Sequence, residues 1–139
     1  MGKLDAQRLK KLESRIGAAF PGDFITILEH REPIDEGDVA VQSETRIWDV
    51  RTTYSLDDDR GEYEQLDRLY ARVGPVLPTG ALPFASDWGG NFYCLMLSGS
   101  RIGQVVWWDH EREAGDDSVE PVAISVADFF ARLVVNSGE

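Results

Sequence analysis

Cysteine occurs once in the 139 residues, at Cys94. No internal disulfide can therefore staple the fold, and a lone thiol suits a reducing cytoplasm, the compartment expected for this chain. Histidine occurs twice, at His30 and His110, too few for a histidine-rich metal site, which needs three or four converging ligands. No apolar run approaches the ~20 residues of a membrane span. The opening MGKLDAQRLK lacks the apolar stretch of a secretory leader. Cations are also scarce: 14 Lys+Arg stand against 25 Asp+Glu, a net charge of −11 at pH 7. Proteins that grip phosphate backbones neutralise them with Lys and Arg, so direct nucleic-acid binding is not expected. No nucleotide, cofactor or catalytic-triad signature appears, and neither a cofactor nor a metal is expected.

What is present is a globular composition, 42% hydrophobic and 28% charged. The length suits one domain with a single core, which commonly runs to roughly 100–150 residues. That domain is taken as 1–139, with its packed part at about 5–135. Charge is uneven. The first 15 residues carry Lys3, Arg8, Lys10, Lys11 and Arg15 against Asp5 and Glu13, a local +3 that leaves −14 for the rest. Acidic clusters recur at 32–38, at 57–59 and at 111–120. Such clusters are usually solvated loops, but a negative surface also speeds encounter with a basic partner.

Leu9, Leu12 and Ile16 recur at helical spacing and predict a helix over about 5–19; Phe20, Pro21 and Gly22 break it before a second helix carrying Phe24, Ile27 and Leu28. Val39 and Val41 alternate with polar residues as in a short strand. The stretch 46–54 is ambiguous, because Thr52 and Thr53 favour a strand whereas Ile47, Val50 and Tyr54 sit at helical intervals. Tyr63, Leu66, Leu69, Tyr70 and Val73 predict an amphipathic helix stopped by Gly74 and Pro75. Beyond it, 82–85, 92–97 and 104–108 are short apolar runs separated by Gly-rich turns, the pattern of consecutive antiparallel strands. A strand over 119–124 and a last helix capped by Ser125, with Val126, Phe129, Phe130, Leu133 and Val134 on its buried face, complete the reading. The fold class expected is α+β: a single domain of mainly antiparallel sheet, with N-terminal helices, a mid-chain helix and a C-terminal helix packed on it.

Three features invite chemistry. Asp109, His110 and Glu111 offer a histidine between carboxylates, but neighbours in a strand point to opposite faces, so a polar strand end is the favoured account. Cys94 lies in an apolar run and reads as a small buried hydrophobe. Gly89 and Gly90 read as a tight turn, since the Lys and Ser/Thr of a phosphate loop are missing. Trp107 and Trp108 place one indole on each face of a sheet, so one of them is a candidate interface anchor.

The segment from Leu82 to Leu95, with Pro83-Phe84, Asp87-Trp88-Gly89-Gly90 and Tyr93-Cys94-Leu95, and the strand closing on Trp108-Asp109-His110-Glu111 resemble the SUKH superfamily, in the branch shared by bacterial immunity proteins and fungal regulators of cell-wall synthesis. Phe20-Pro21-Gly22-Asp23-Phe24 and Ser125-Val126-Ala127-Asp128-Phe129-Phe130 are similar to that family's front and tail. Asn91 departs from the pattern, where an aspartate is common. The resemblance implies an α+β fold without an enzymatic mechanism and a cytoplasmic immunity protein that binds a polymorphic toxin stoichiometrically. Toxins of that kind include nucleases and nucleic-acid deaminases with basic clefts, which an acidic protein complements. On exposure, the partner-binding residues expected are Asp57, Asp58, Asp59, Trp88, Asp116 and Asp117. The competing readings are a regulatory scaffold for constitutive cellular partners and a small hydrolase using His110.

Overall fold

The computed structural model describes residues 4–57, 59–111 and 119–135. Helix α1 (Ala6–Ile16) starts where the Asp5 carboxylate accepts the N–H groups of Gln7 and Arg8, satisfying donors that a helix start leaves free. It ends three residues before the expected Ala19. Gly17 turns left-handed at φ 87° and donates its N–H to Glu13 O, a conformation open to glycine without a steric cost. The Glu13 carboxylate then accepts the Phe20 N–H at 2.6 Å. Helix α2 (Gly22–His30) follows extended Pro21 and buries Phe24.

The ambiguous stretch is two strands. β1 (Val39–Gln42) pairs antiparallel with β2 (Ile47–Val50), and one residue later β3 (Thr52–Thr53) pairs with β4 (Ala81–Ser86). The run changes sheets at Arg51, whose N–H donates to Ser86 O while its carbonyl accepts the Gly37 N–H, both at 2.8 Å. The mid-chain helix α3 (Leu66–Val73) is shorter than its apolar period suggests. A 3-10 turn, Glu62–Glu64, precedes it and leaves Tyr63 exposed. Then come β5 (Phe92–Met96), β6 (Val105–Trp108), β7 (Glu120–Ala123) and α4 (Val126–Ala131). The Ser125 hydroxyl caps α4 by accepting the Asp128 N–H, as expected. Leu133 and Val134 do not extend that helix: Leu133–Val135 forms β8, antiparallel to β1.

The domain is α+β, with two antiparallel sheets ordered β2-β1-β8 and β3-β4-β5-β6-β7 where the sequence suggested one. Its main core packs helices and the small sheet on one face of the larger sheet. The Phe84 ring meets Phe24 at 5.8 Å and Phe129 at 5.1 Å, and Trp48 meets Trp107 at 5.8 Å. A second cluster, Ala81, Cys94, Met96, Val106 and Trp108, lies apart from it. The paired tryptophans therefore do split, Trp107 against the main core and Trp108 in the second cluster, and neither is exposed. Burial inside that second cluster pushes the Cys94 thiol well above its ordinary pKa.

Candidate partner-binding surface

The β4–β5 turn is organised by one buried carboxylate. Asp87 Oδ1 accepts the N–H groups of Gly89 at 2.9 Å and Asn91 at 2.8 Å. Its Oδ2 accepts Asn91 Nδ2–H at 3.1 Å and the Trp107 indole N–H at 2.9 Å. All four partners are donors, so an ionised acceptor-only group is the side chain that suits this position. Gly90, at φ 86°, completes the reversal.

Trp88 stands on the outside of this turn, 55% exposed, yet it is pinned. Its backbone N–H donates to Asp49 Oδ2 at 2.9 Å, its indole N–H donates to Gly37 O at 3.2 Å, and the Arg51 guanidinium lies 5.1 Å from its ring centre. Arg51 also pairs with Glu36 at 3.4 Å. Asp49 is held from below, since the Tyr93 hydroxyl donates to its carbonyl at 2.7 Å. Burial, then the charges of Asp49 and Asp87, push the Tyr93 pKa far up, so it stays a donor. The result is a large aromatic side chain whose freedom is already spent before any partner arrives, which lowers the entropic cost of binding. Exposed Glu36, Asp38 and Glu111 and half-buried Asp49 and Asp109 lie on the segments that meet at this end of the fold.

His110 belongs to the same end. Asn91 Oδ1 accepts its backbone N–H at 3.1 Å and lies 2.7 Å from its Nδ1. Because Asn91 Nδ2 is committed to Asp87, the Oδ1 must accept from His110, which assigns the proton to Nδ1. An aspartate at position 91 would set a second carboxylate against Asp87. The departure from the family pattern is thus compatible with this turn. Asp109 accepts the Glu111 N–H at 2.9 Å, and no group of three His, Cys, Asp or Glu able to hold a metal ion occurs among the described residues.

Of the residues expected on the surface, Trp88 is exposed as anticipated and Asp59 is exposed too. Asp57 is not: it is 7% exposed. Its backbone N–H donates to Gln65 Oε1 at 3.2 Å, its carbonyl accepts Gln65 Nε2–H at 2.6 Å, and its carboxylate accepts the Asp59 N–H. Those bonds draw the loop inward. Asp58, Asp116 and Asp117 lie outside the described residues. No hydrogen bond or ion pair among the described residues joins the loop at 57–61 to the Trp88 turn. Sequence reasoning missed Asp49, Arg51, Glu36 and Gly37, the residues that position Trp88. They are separated from it by 37 or more positions, and no local pattern announces the bend at Arg51 that brings them there.

Comparison with known proteins gives two findings. The model of the SMI1 / KNR4 family (SUKH-1) matches residues 3–132. The SPbeta prophage-derived uncharacterized protein YokK of Bacillus subtilis (strain 168) is 25% identical over 144 residues, covering 92% of this chain and 73% of its own length. No solved structure matches the chain. No described helix is long and apolar enough to cross a membrane.

Proposed function

The chain belongs to the SMI1 / KNR4 family (SUKH-1), and from that membership we propose that it is an immunity-type protein that neutralises a toxin by forming a one-to-one complex with it. The observation that carries this reading is Trp88, more than half exposed yet held by Asp49, Gly37 and Arg51. Interface anchors are typically rigid aromatic side chains that fill a pocket on the partner. The net charge of −11 favours a toxin with a basic cleft, since opposite fields speed encounter and fix orientation. The protein then acts by occupying the toxin's substrate cleft, from the cytoplasm, without turnover of its own. The arrangement of His110 suits a positioning role better than a general base, because its Nδ1 proton is engaged by a neutral amide and no carboxylate among the described residues bonds its ring.

The test is affinity capture from native cytoplasm with the tagged protein and its Trp88→Ala variant, read by mass spectrometry. A single toxin-like protein retained at near-equal stoichiometry, and weakened about 30-fold or more by Trp88→Ala, supports the proposal. Retention of several constitutive proteins instead would establish the regulatory-scaffold reading. Equal retention by both forms would remove Trp88 from the interface.

A further inference from the structure

The basic N-terminal stretch plays no part in the acidic Trp88 surface. In the fold two of its cations, Arg8 and Arg15, line an open groove between α1 and α3, with a volume of about 520 Å³, within the size range of ligand sites. Four arginines line it, Arg8, Arg15, Arg60 and Arg68, against Glu62 and Asp67. Two positive charges are therefore left over, on a molecule whose overall charge is −11.

The arginines are not equivalent. Arg8 is a structural tie: its Nε and one terminal nitrogen donate to Asp67 at 2.9 and 2.7 Å, and the same terminal nitrogen donates to Gln65 at 2.9 Å. Arg60 is different. Its guanidinium donates to Thr53 O at 2.6 Å, Ser55 Oγ at 3.2 Å and Ile34 O at 3.3 Å. All three are neutral oxygens, so a half-buried charge is locked in place with no carboxylate partner among the described residues. Three of its five N–H groups are used, which leaves donors for a ligand. Arg68 is exposed and makes no side-chain bond among the described residues, while Arg15 rests on the Tyr70 ring at 5.8 Å.

We propose that this groove docks a short acidic polypeptide segment, with Arg15, Arg60 and Arg68 receiving its carboxylates. Guanidinium forks match carboxylates bidentately, and a pre-placed arginine loses little freedom on binding. A short segment fits better than a nucleic acid. A long polyanion would run past the two helices onto the rest of a molecule whose net charge is −11.

Fluorescence anisotropy of a labelled decaglutamate with the full-length protein tests this at low and at physiological salt. The expected result is saturable binding that weakens about tenfold with Arg68→Glu and with Arg15→Gln and falls steeply with salt. Arg101→Glu, the same charge change on the exposed β5–β6 turn, should leave it within twofold. Melting curves show whether each variant is folded, and the salt titration of the unmodified protein reads the same electrostatics without any variant. No saturable binding, equal loss with Arg101→Glu, or tighter binding of a ten-nucleotide thymidine strand would overturn the proposal. So would self-association that is abolished by Arg68→Glu, which would assign the groove to a second copy of the chain.

Discussion

Asp87→Asn is the sharpest perturbation the structure offers, because it changes one atom in a buried carboxylate that only receives hydrogen bonds. Two donors, the Gly89 and Asn91 backbone N–H groups, point at Oδ1, and two, Asn91 Nδ2 and Trp107 Nε1, point at Oδ2. An asparagine keeps one acceptor oxygen. Whichever way its amide is turned, its NH2 faces two donors. Turning Asn91 does not rescue the pair, since its Oδ1 already serves the backbone N–H of His110. Each buried donor stranded this way costs about 1–3 kcal/mol. The variant should therefore lose about 2–6 kcal/mol, a large share of the roughly 5–15 kcal/mol that holds a domain of this size. In urea, with a slope near 2 kcal/mol/M, the midpoint should fall by about 1–3 M. Tryptophan fluorescence reads the transition directly, because Trp107 is one of the four donors and Trp88 rides on the same turn. A loss below about 0.5 kcal/mol with an unchanged slope would refute the reasoning, since it would mean that the four donors find other acceptors at no cost.

Gln65→Ala should cost about 2–3 kcal/mol, because it strands the N–H and carbonyl of buried Asp57; hydrogen exchange should rise at 57–61 first, and unchanged protection there would refute the clamp. Cys94 should resist thiol-specific reagents in the native protein, its thiol being fully buried with a raised pKa, and should react only at the rate of unfolding; rapid native labelling would contradict this packing. Burial pushes the Asp67 carboxyl up, but its hydrogen bonds and ion pair with Arg8, helped by the Arg68 N–H, outweigh that and hold it below the ordinary 3.8. A lowered folded pKa stabilises above the unfolded value, and that contribution is lost as pH falls through the folded one. The stability difference between the unmodified protein and Asp67→Asn should thus be full at about pH 6 and shrink below about pH 4; a difference that does not vary with pH would exclude the ionic contribution.

Local periodicity was enough to read α1, β4, β5 and β6 from the sequence, because Leu9, Leu12 and Ile16, or the apolar runs between Gly-rich turns, declare their own partners. Where it failed, a distant partner decided. Tyr63 keeps the apolar spacing of α3, but Gln65 takes an extended backbone, with its N–H neighbour Leu66 bonded to Ser55 O, so the helix cannot include it. Val134 keeps the spacing of α4, yet β1 offers an open edge and a β-branched pair prefers it. Arg51 has no pattern to reveal it, because its two backbone bonds go to Ser86 and Gly37. The exposure of Trp88 was legible from its place in a turn, whereas the residues that fix its side chain were not. The charged run at Asp57 looks solvated until the Gln65 amide is known to reach it.

The place of β8 also sets a schedule for biosynthesis. β1 occupies the middle of its sheet, with Val39 paired to Val50 on one side and to Val135 on the other. While the chain is being made, β1 and β2 are available early as a ribbon, but two strands alone are marginal in water. The strand that completes them is translated 83 residues after β2 ends. Until then β1 presents a bare edge, the kind of template that recruits other chains. A product stopped at residue 132 would keep every helix and every strand of the larger sheet and still expose that edge, so it should sediment with aggregates. On the immunity reading, protection of the cell would lag translation, beginning only once residue 135 has been synthesised and docked.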